Sequence, residues 1–531
     1  MDSLGFHNFR KFVNLESLRL GKVNILVGEN NSGKSTFTKA ALLLSKFLDA
    51  NLGHFDLVSM YDGGIRPRPF KFTDPEFKNV YIDTFYQALS VNSDSGVIKF
   101  YTQLDEFEIE VSISVPRALE TSSYYVSFMA EHKSEPFVDV EQWSSDVYPR
   151  IREKAPKRYQ KELSVSNASV WHIGIIDYKR SLMMNIDYEN LCINMSFIDQ
   201  GLLSDLMEIE RKLSAKKAKD FEYCRLCQAR EDLAEKIWAS PNFVHRQFSC
   251  FHDDEEFHLI GRCLEFEREE SHSEEHLSKI EIAEDSCRDL YRVLNNFSME
   301  YIYAHSVHQL STYKYDKGIR NDYVDQTVSM FYDMMTGFDP NSNDTGDNPV
   351  PFVEKWMNRL GIGERFEIET AKRNTALRVQ ILDNDTWLDL SSKGIGAIQT
   401  FLLLLRMATI IFDGRRHSTV VIEEPEQNLH PALQSRLADF FCDVSDKGQC
   451  QLLIETHSEY LVRRIQLIVQ EKFCRTDMTG DNQFKVFYFP ESGEPYDMSL
   501  LKTGEFERHF GKGFYDEAST LHREFLDGSK I

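Results

Sequence analysis

The sequence has no long uninterrupted apolar run. Its most hydrophobic stretch, Phe401–Phe412, is broken by Arg406 and falls short of the ~20 residues a helix needs to cross a bilayer. A buried helix, apolar nearly all round, is expected there, with no membrane span. Met1–Arg10 is polar and aromatic and lacks the apolar middle and small-residue cleavage site of a secretory signal. Nine cysteines, an odd count, are scattered without a disulfide-like framework, which argues for reduced thiols in a cytoplasmic protein. Positive charge is also scarce: 61 Lys and Arg face 84 Asp and Glu, a net charge of -23. A surface of that sign repels phosphate backbones, so nucleic-acid contact is left to local basic runs. Fixed-period repeats, long heptads and low-complexity tracts are missing as well, which argues against a solenoid or a coiled-coil arm.

What is present suits a globular chain. Hydrophobic residues make up 42% of 531, enough for two or three units or for one large unit with an insertion. Lys22–Val27 reads as a buried strand, followed by a glycine-rich loop and a helix over 34–48. Val97–Tyr101 and Phe107–Val115 alternate as half-buried strands do. From about Ile198 to Asn295 the texture turns charged and helix-favouring, as in Leu203–Ala218 and Leu277–Leu294. Gly337–Val350 is rich in Pro, Gly, Asn and Asp and reads as a loop. After Phe352 the α/β texture returns. Phe366–Glu369 and Leu377–Leu382 suggest paired strands; Thr419–Ile422, Gln451–Thr456 and Phe484–Phe489 are apolar strands, and Phe514–Leu526 fits a closing amphipathic helix.

Four segments carry chemistry. The first is Gly28-Glu29-Asn30-Asn31-Ser32-Gly33-Lys34-Ser35, continued by Thr36. Glycines at these positions let backbone N–H groups turn inward around phosphates; Lys34 supplies a cation and the Ser35 hydroxyl a ligand for Mg²⁺. The second is Val420-Val421-Ile422-Glu423-Glu424-Pro425, an apolar strand ending in two carboxylates. Adjacent strand residues point to opposite sides, which assigns Glu423 to the metal and Glu424 to activation of the attacking water. The third is Leu452–Ile454 followed by Glu455-Thr456-His457-Ser458, which sets His457 at a strand end within reach of a γ-phosphate. The fourth is Ser391-Ser392-Lys393-Gly394-Ile395-Gly396, small residues opening a helix whose N-terminus offers free N–H groups and a positive dipole end to an anion.

Taken in this order, the four segments resemble the ATPase heads of the ABC class, in the branch of OLD, RecF and SMC-like heads. Phe6-His7-Asn8-Phe9-Arg10-Lys11-Phe12, Glu424-Pro425-Glu426-Gln427-Asn428-Leu429-His430-Pro431 and Glu455-Thr456-His457-Ser458-Glu459-Tyr460-Leu461 carry the likeness. Within that branch the chain is similar to the PtuA-like ATPases of Septu and retron-associated anti-phage systems. The likeness covers roughly the first 50 and last 180 residues.

The resemblance implies an α/β fold: one ABC-type P-loop head built from both chain ends, 1–195 and 296–531, with a mainly helical insertion over 196–295. It implies ATP and Mg²⁺ as cofactors and Lys34, Glu424 and His457 as catalytic residues. It also implies a head-to-tail dimer in which Ser391, Ser392, Gly394 and Gly396 meet the γ-phosphate held by the other copy. Here Ser392-Lys393 stands where relatives more often have Asp-Val, and Glu423 where most ABC heads have Asp. OLD nucleases carry a nuclease domain after the head. The stretch after His457 is short enough to be used up by the head, so no nuclease domain of its own is expected. A PtuA-like role implies a separate HNH-type nuclease subunit, and with it a retron reverse transcriptase with its RNA or DNA; the alternatives are a RecF- or SMC-like DNA-repair ATPase and a nucleotide-gated scaffold.

Weaker features have plainer explanations. Cys224 and Cys227 with Cys250 and His252 have zinc-like spacing, but two thiols on one acidic helix need no metal. Arg211, Lys212, Lys216, Lys217 and Lys219, and the run from Arg150 to Lys161, read as solvated helix faces. His305 and His308 read as structural.

Overall fold

A computed structural model describes residues 1–48, 58–61, 64–67, 72, 80, 82, 85–93, 96–114, 169–187, 192–214, 221–238, 240–247, 259–271, 273–303, 312–315, 323–337, 348–371, 375–412, 417–448, 450–475 and 484–511. The basic run 150–161, Cys250, His252, His305, His308 and the tail 514–526 lie outside the described residues, as do the side chains of Cys224 and Cys227 and most of the 337–350 loop.

In chain order, β1 (Ser3–Phe9) and β2 (Phe12–Arg19) form a hairpin in which the rings of Phe9 and Phe12 meet Phe6 edge to face. β3 (Val23–Gly28) is buried throughout, as a continuous apolar strand in a parallel sheet should be. α1 (Lys34–Leu48), the ribbon β4 (Val58–Tyr61) and β5 (Gly64–Pro67), and the single turn α2 (Phe85–Ala88) follow. β6 (Ile98–Leu104) and β7 (Phe107–Ser114) pair antiparallel, with alternating burial along most of their length. β8 (Ser169–Asp177), β9 (Leu182–Asp187) and β10 (Cys192–Phe197) extend the meander. Then come α3 (Gln200–Ser214), α4 (Phe221–Trp238), β11 (Asn242–Gln247), α5 (Leu259–Glu270) and α6 (Glu274–Asn296).

The second half opens with β12 (Phe297–Tyr303), β13 (Tyr313–Lys314), α7 (Tyr323–Gly337) and α8 (Val350–Arg359). β14 (Arg365–Ala371) and β15 (Ala376–Asp383) are the expected pair and run antiparallel, and β16 (Thr386–Asp389) adds to β15. A 3-10 turn (Leu390–Ser392) leads to α9 (Ile395–Phe412), β17 (His417–Glu423), α10 (Pro431–Lys447), β18 (Gln451–Glu455), α11 (Glu459–Arg475), β19 (Phe484–Phe489) and β20 (Tyr496–Asp497).

The chain forms two compact units: Met1–Arg19 with Lys39–Asn295, and Leu20–Thr38 with Asn296–Ile531. The first holds an antiparallel eight-stranded sheet in the order β11-β10-β9-β8-β7-β6-β1-β2. Beyond the end of β10, the described elements of the 196–295 segment are four helices and one strand, β11, which pairs with β10 at the sheet edge. Asp177, at the end of β8, is fully buried and accepts from Ser286 Oγ of α6 at 2.5 Å and from Arg180 at 2.9 Å. Arg180 also pairs with Asp289 of α6. A buried carboxylate is costly without such partners, and the network ties helix to sheet.

The second unit contains the α/β architecture expected from the sequence. Its main sheet runs β12-β17-β18-β3-β19-β20, parallel except for β20 at the edge. The carboxyl ends of such strands form the natural ligand crevice. Asn24, buried in β3, donates to the carbonyls of Gly21 and Leu452 and so fixes β3 against β18. α9 is longer than its apolar stretch suggested. At 18 residues it is long and apolar enough to span a bilayer by length and composition, yet most of it is buried in this unit's core. Arg406, within that apolar face, is paired with Glu300 of β12.

Candidate functional site

The loop between β3 and α1 is shaped by backbone that only certain residues tolerate. Gly28 has φ +146, and a Cβ there would overlap the carbonyl oxygen of Phe489 on β19; glycine alone fits. Asn31 takes a left-handed φ of +59, a conformation asparagine accepts more readily than most residues. The Gly33 carbonyl accepts from the N–H groups of Thr36 and Phe37 at 3.0 and 3.1 Å, which starts α1. Glu29, Asn30 and Asn31 are exposed, whereas Ser32, Gly33, Lys34 and Thr36 are buried.

Lys34 is 3% exposed. Its ammonium donates to the carbonyls of Gly28 at 3.0 Å and Glu29 at 2.7 Å, closing the loop on itself. Burial lowers its pKa, while Glu455, Glu424, Glu29 and Glu426 oppose that shift.

Glu423 ends β17. Its Oε2 accepts from the Tyr301 hydroxyl at 2.6 Å and its Oε1 from Thr38 at 3.4 Å. Tyr301 comes from β12, whose parallel pairing sets Tyr303 beside Glu423 and Tyr301 beside Val421. Glu424 does not continue the strand as the alternation argument assumed. It turns into left-handed backbone at φ +44, and its N–H donates to the carbonyl of Glu455 at 2.8 Å. A turn, not strand pleating, therefore separates the two carboxylates. Glu424 Oε2 accepts from Gln427 at 2.8 Å, and Oε1 lies 3.8 Å from His457 Nε2. The His457 imidazole is pushed below its usual range by burial and by Lys34, against the pull of Glu424, so its neutral form prevails at pH 7. Its backbone N–H donates to Glu426 Oε1 at 2.6 Å.

Glu455, which sequence reasoning did not select, stands at the centre. It ends β18, the strand between β17 and β3. Ser35 Oγ donates to its Oε1 at 2.8 Å. Burial and the nearby Glu423 push its carboxyl up to about 7, with Ser35 and Lys34 pulling the other way.

The loop after Glu424 and the start of α9 pack together. Asn428, at φ +59, donates to Gln399 Oε1 at 3.0 Å. A Cβ on Gly396 would overlap the Asn428 carbonyl oxygen. Pro431 opens α10 with His430 as its cap. Lys393 is paired with Asp383 of β15. Ser392, Gly394 and Ile395 are exposed, and Ser391 is half-buried. Thus Lys34, Ser35, Glu423, Glu424 and His457 converge at the carboxyl ends of the interior strands β3, β17 and β18, while Ser391, Ser392 and Gly394 open away from the core.

Known proteins share parts of this chain. A family profile described as AAA ATPase domain matches residues 1–462. An OLD nuclease of Thermus scotoductus is 34% identical over 102 residues, 19% of this chain and 19% of that protein, so the match spans about a fifth of the curated relative. Among solved structures, the Smc head domain with an extended coiled coil, bound to the C-terminal domain of ScpA from Pyrococcus furiosus, matches at TM-score 0.34 and 11% identity over 99% of each chain. An SmcHead bound to the C-winged helix domain of ScpA matches at TM-score 0.38 and 10% identity, over 94% of this chain and 98% of that one.

Proposed function

Because the chain belongs to the AAA ATPase domain family, we propose that it is an ATPase that uses ATP binding and hydrolysis to join and release two copies of itself in work on DNA. The observation that carries this reading is the meeting of Lys34, Ser35, Glu423, Glu424 and His457 at the carboxyl ends of adjacent strands in one sheet.

Residues 28–36 wrap the phosphates, with loop N–H groups and the α1 N-terminus as donors. Lys34 leaves the Gly28 and Glu29 carbonyls for the β- and γ-phosphates. A buried carboxylate (Glu455) and a half-buried one (Glu423) beside a serine hydroxyl fit Mg²⁺; Ser35 and Glu423 would hold it, and it would supply positive charge to offset the phosphates. Glu424 takes a proton from the water that attacks the γ-phosphorus as the bond to the bridging β-oxygen breaks. Gln427 steadies that carboxylate, and neutral His457 can donate to a γ-oxygen. Ser391, Ser392, Gly394 and Gly396 of one copy complete the site of the other. The pairing of Lys393 with Asp383 supports this arrangement, since it keeps the lysine from covering the serines.

A second reading makes the same switch the regulator of a separate HNH-type nuclease in an anti-phage complex. The likeness to an OLD nuclease supports it. Light scattering with and without Mg²⁺-ATP, run with duplex DNA, tests the first reading. Mass is expected to double with ATP and DNA to be retained only in that state; no nucleotide-dependent change of mass contradicts it. ATP-dependent doubling without DNA retention, together with co-elution of a nuclease encoded beside this chain, favours the second.

A further inference from the structure

Glu455 is 4% exposed. The three β18 residues before it, Leu452–Ile454, are apolar and buried, so packing alone would be served by valine or leucine at its end. Parallel pairing places Glu455 beside Glu423 on β17 and beside Leu26 on β3. Glu455 is buried and Glu423 half-buried, and two carboxylates side by side there repel each other, which disfavours the arrangement unless a cation offsets it.

The oxygens of the two carboxylates are used differently. Both oxygens of Glu423 already accept protein hydrogen bonds, from Tyr301 and Thr38. Glu455 Oε1 accepts from Ser35, but its Oε2 is buried with no hydrogen-bond partner. A carboxylate has room for about four hydrogen bonds, and a buried oxygen with none is costly to keep unless another state of the protein satisfies it. The hydroxyl it shares belongs to the serine that, in the reading above, faces the metal. Among the described residues no three His, Cys, Asp or Glu side chains are spaced to hold a cation by themselves. A cation held here would share its shell with phosphate oxygens, which is how Mg²⁺ usually binds, keeping one or two carboxylates and several waters.

Resting on the ATP reading of this site, we propose that Glu455 is a further metal-positioning residue. Its free oxygen holds, directly or through one water, the divalent cation that arrives with ATP at Ser35. In this arrangement Glu455 couples metal to nucleotide: without the cation it repels the phosphates, and with it the repulsion becomes attraction.

The test uses the full chain, Mn²⁺ as the metal probe and the non-hydrolysable analogue AMP-PNP. Free Mn²⁺ is read by electron paramagnetic resonance, and AMP-PNP affinity by calorimetry in Mn²⁺ and in EDTA. In Glu455→Gln, Mn²⁺ affinity of the AMP-PNP complex is expected to fall at least about tenfold, in the range seen when carboxylates around a metal are removed. AMP-PNP affinity in EDTA is expected to hold or tighten. Glu455→Asp keeps the charge but shortens its reach, and should lose an intermediate share; it carries the decision where the glutamine variant does not fold. Unchanged Mn²⁺ affinity in a folded variant overturns the proposal and leaves Glu455 as a structural partner of Ser35. A wild type that binds no AMP-PNP in either buffer overturns the ATP reading itself, and this proposal with it.

Discussion

Gly396, in the first turn of α9, sits against the carbonyl oxygen of Asn428, in the loop that follows the paired glutamates. Two segments far apart in sequence thus share one backbone contact, and both lie where the second copy is proposed to dock. A carbonyl oxygen cannot swing aside as a side-chain tip can, so Gly396→Ala must push the loop from the helix, at a cost of about 1–3 kcal/mol. ATP affinity at Lys34 is expected to stay unchanged, while ATP-dependent association weakens at least about tenfold, the effect of ~1.4 kcal/mol. Sedimentation with ATP checks this, and association at wild-type strength would contradict it.

Tyr301 holds Glu423 through a 2.6 Å hydrogen bond. Hydrogen bonds to charged groups contribute about 1.5–3 kcal/mol. Tyr301→Phe keeps the buried ring and removes only the hydroxyl. Turnover is expected to fall about tenfold or more, since each ~1.4 kcal/mol is a factor of ten in rate, with little change in ATP affinity. Steady-state hydrolysis and equilibrium binding separate the two effects; unchanged turnover would show that Glu423 needs no such hold.

His172 of β8 gives the first unit a pH-dependent element. Burial pushes its imidazole below the usual range; Glu110, Asp187 and a hydrogen bond with Asn185 oppose this, and Lys99 reinforces it. The folded state therefore binds fewer protons than the unfolded chain at mildly acid pH. Stability from this residue is fully present above the unfolded value of about 6.5 and is lost as pH falls through the depressed folded value. Denaturant midpoints between pH 7 and pH 5 should fall more steeply in the wild type than in His172→Gln. Parallel slopes would contradict the assignment.

The loop from Gly28 to Ser35 was legible in the sequence because its chemistry is local: glycines, a lysine and a serine at fixed spacing between an apolar strand and a helix. The expected helix over 34–48 and strand over 484–489 match the observed α1 and β19. The partners of the site were less legible because they depend on strand order. Glu455 reaches Ser35 only because β18 lies between β17 and β3, and Tyr301 reaches Glu423 only because β12 flanks β17. Both are long-range facts that no local pattern announces. An acidic residue ending an otherwise apolar strand, as in Leu452–Glu455, was the available signal. The left-handed turn at Glu424 was hidden for another reason: a glutamate there violates local preference, and such violations gather at functional sites. In the first unit, alternation in β6 and β7 was visible, but their union with β1 across the intervening β3 and α1 was not.

The central claim is that Glu424 activates the attacking water in a site that binds ATP without its help. Single-turnover hydrolysis of bound ATP, measured side by side in wild type and Glu424→Gln with Mg²⁺, tests it most directly. The wild type should convert its bound ATP to ADP and phosphate. The variant should hold ATP at near wild-type affinity and cleave it at least about a hundredfold more slowly, the low end of what general-base removal costs. Cleavage at the wild-type rate by Glu424→Gln would contradict the account.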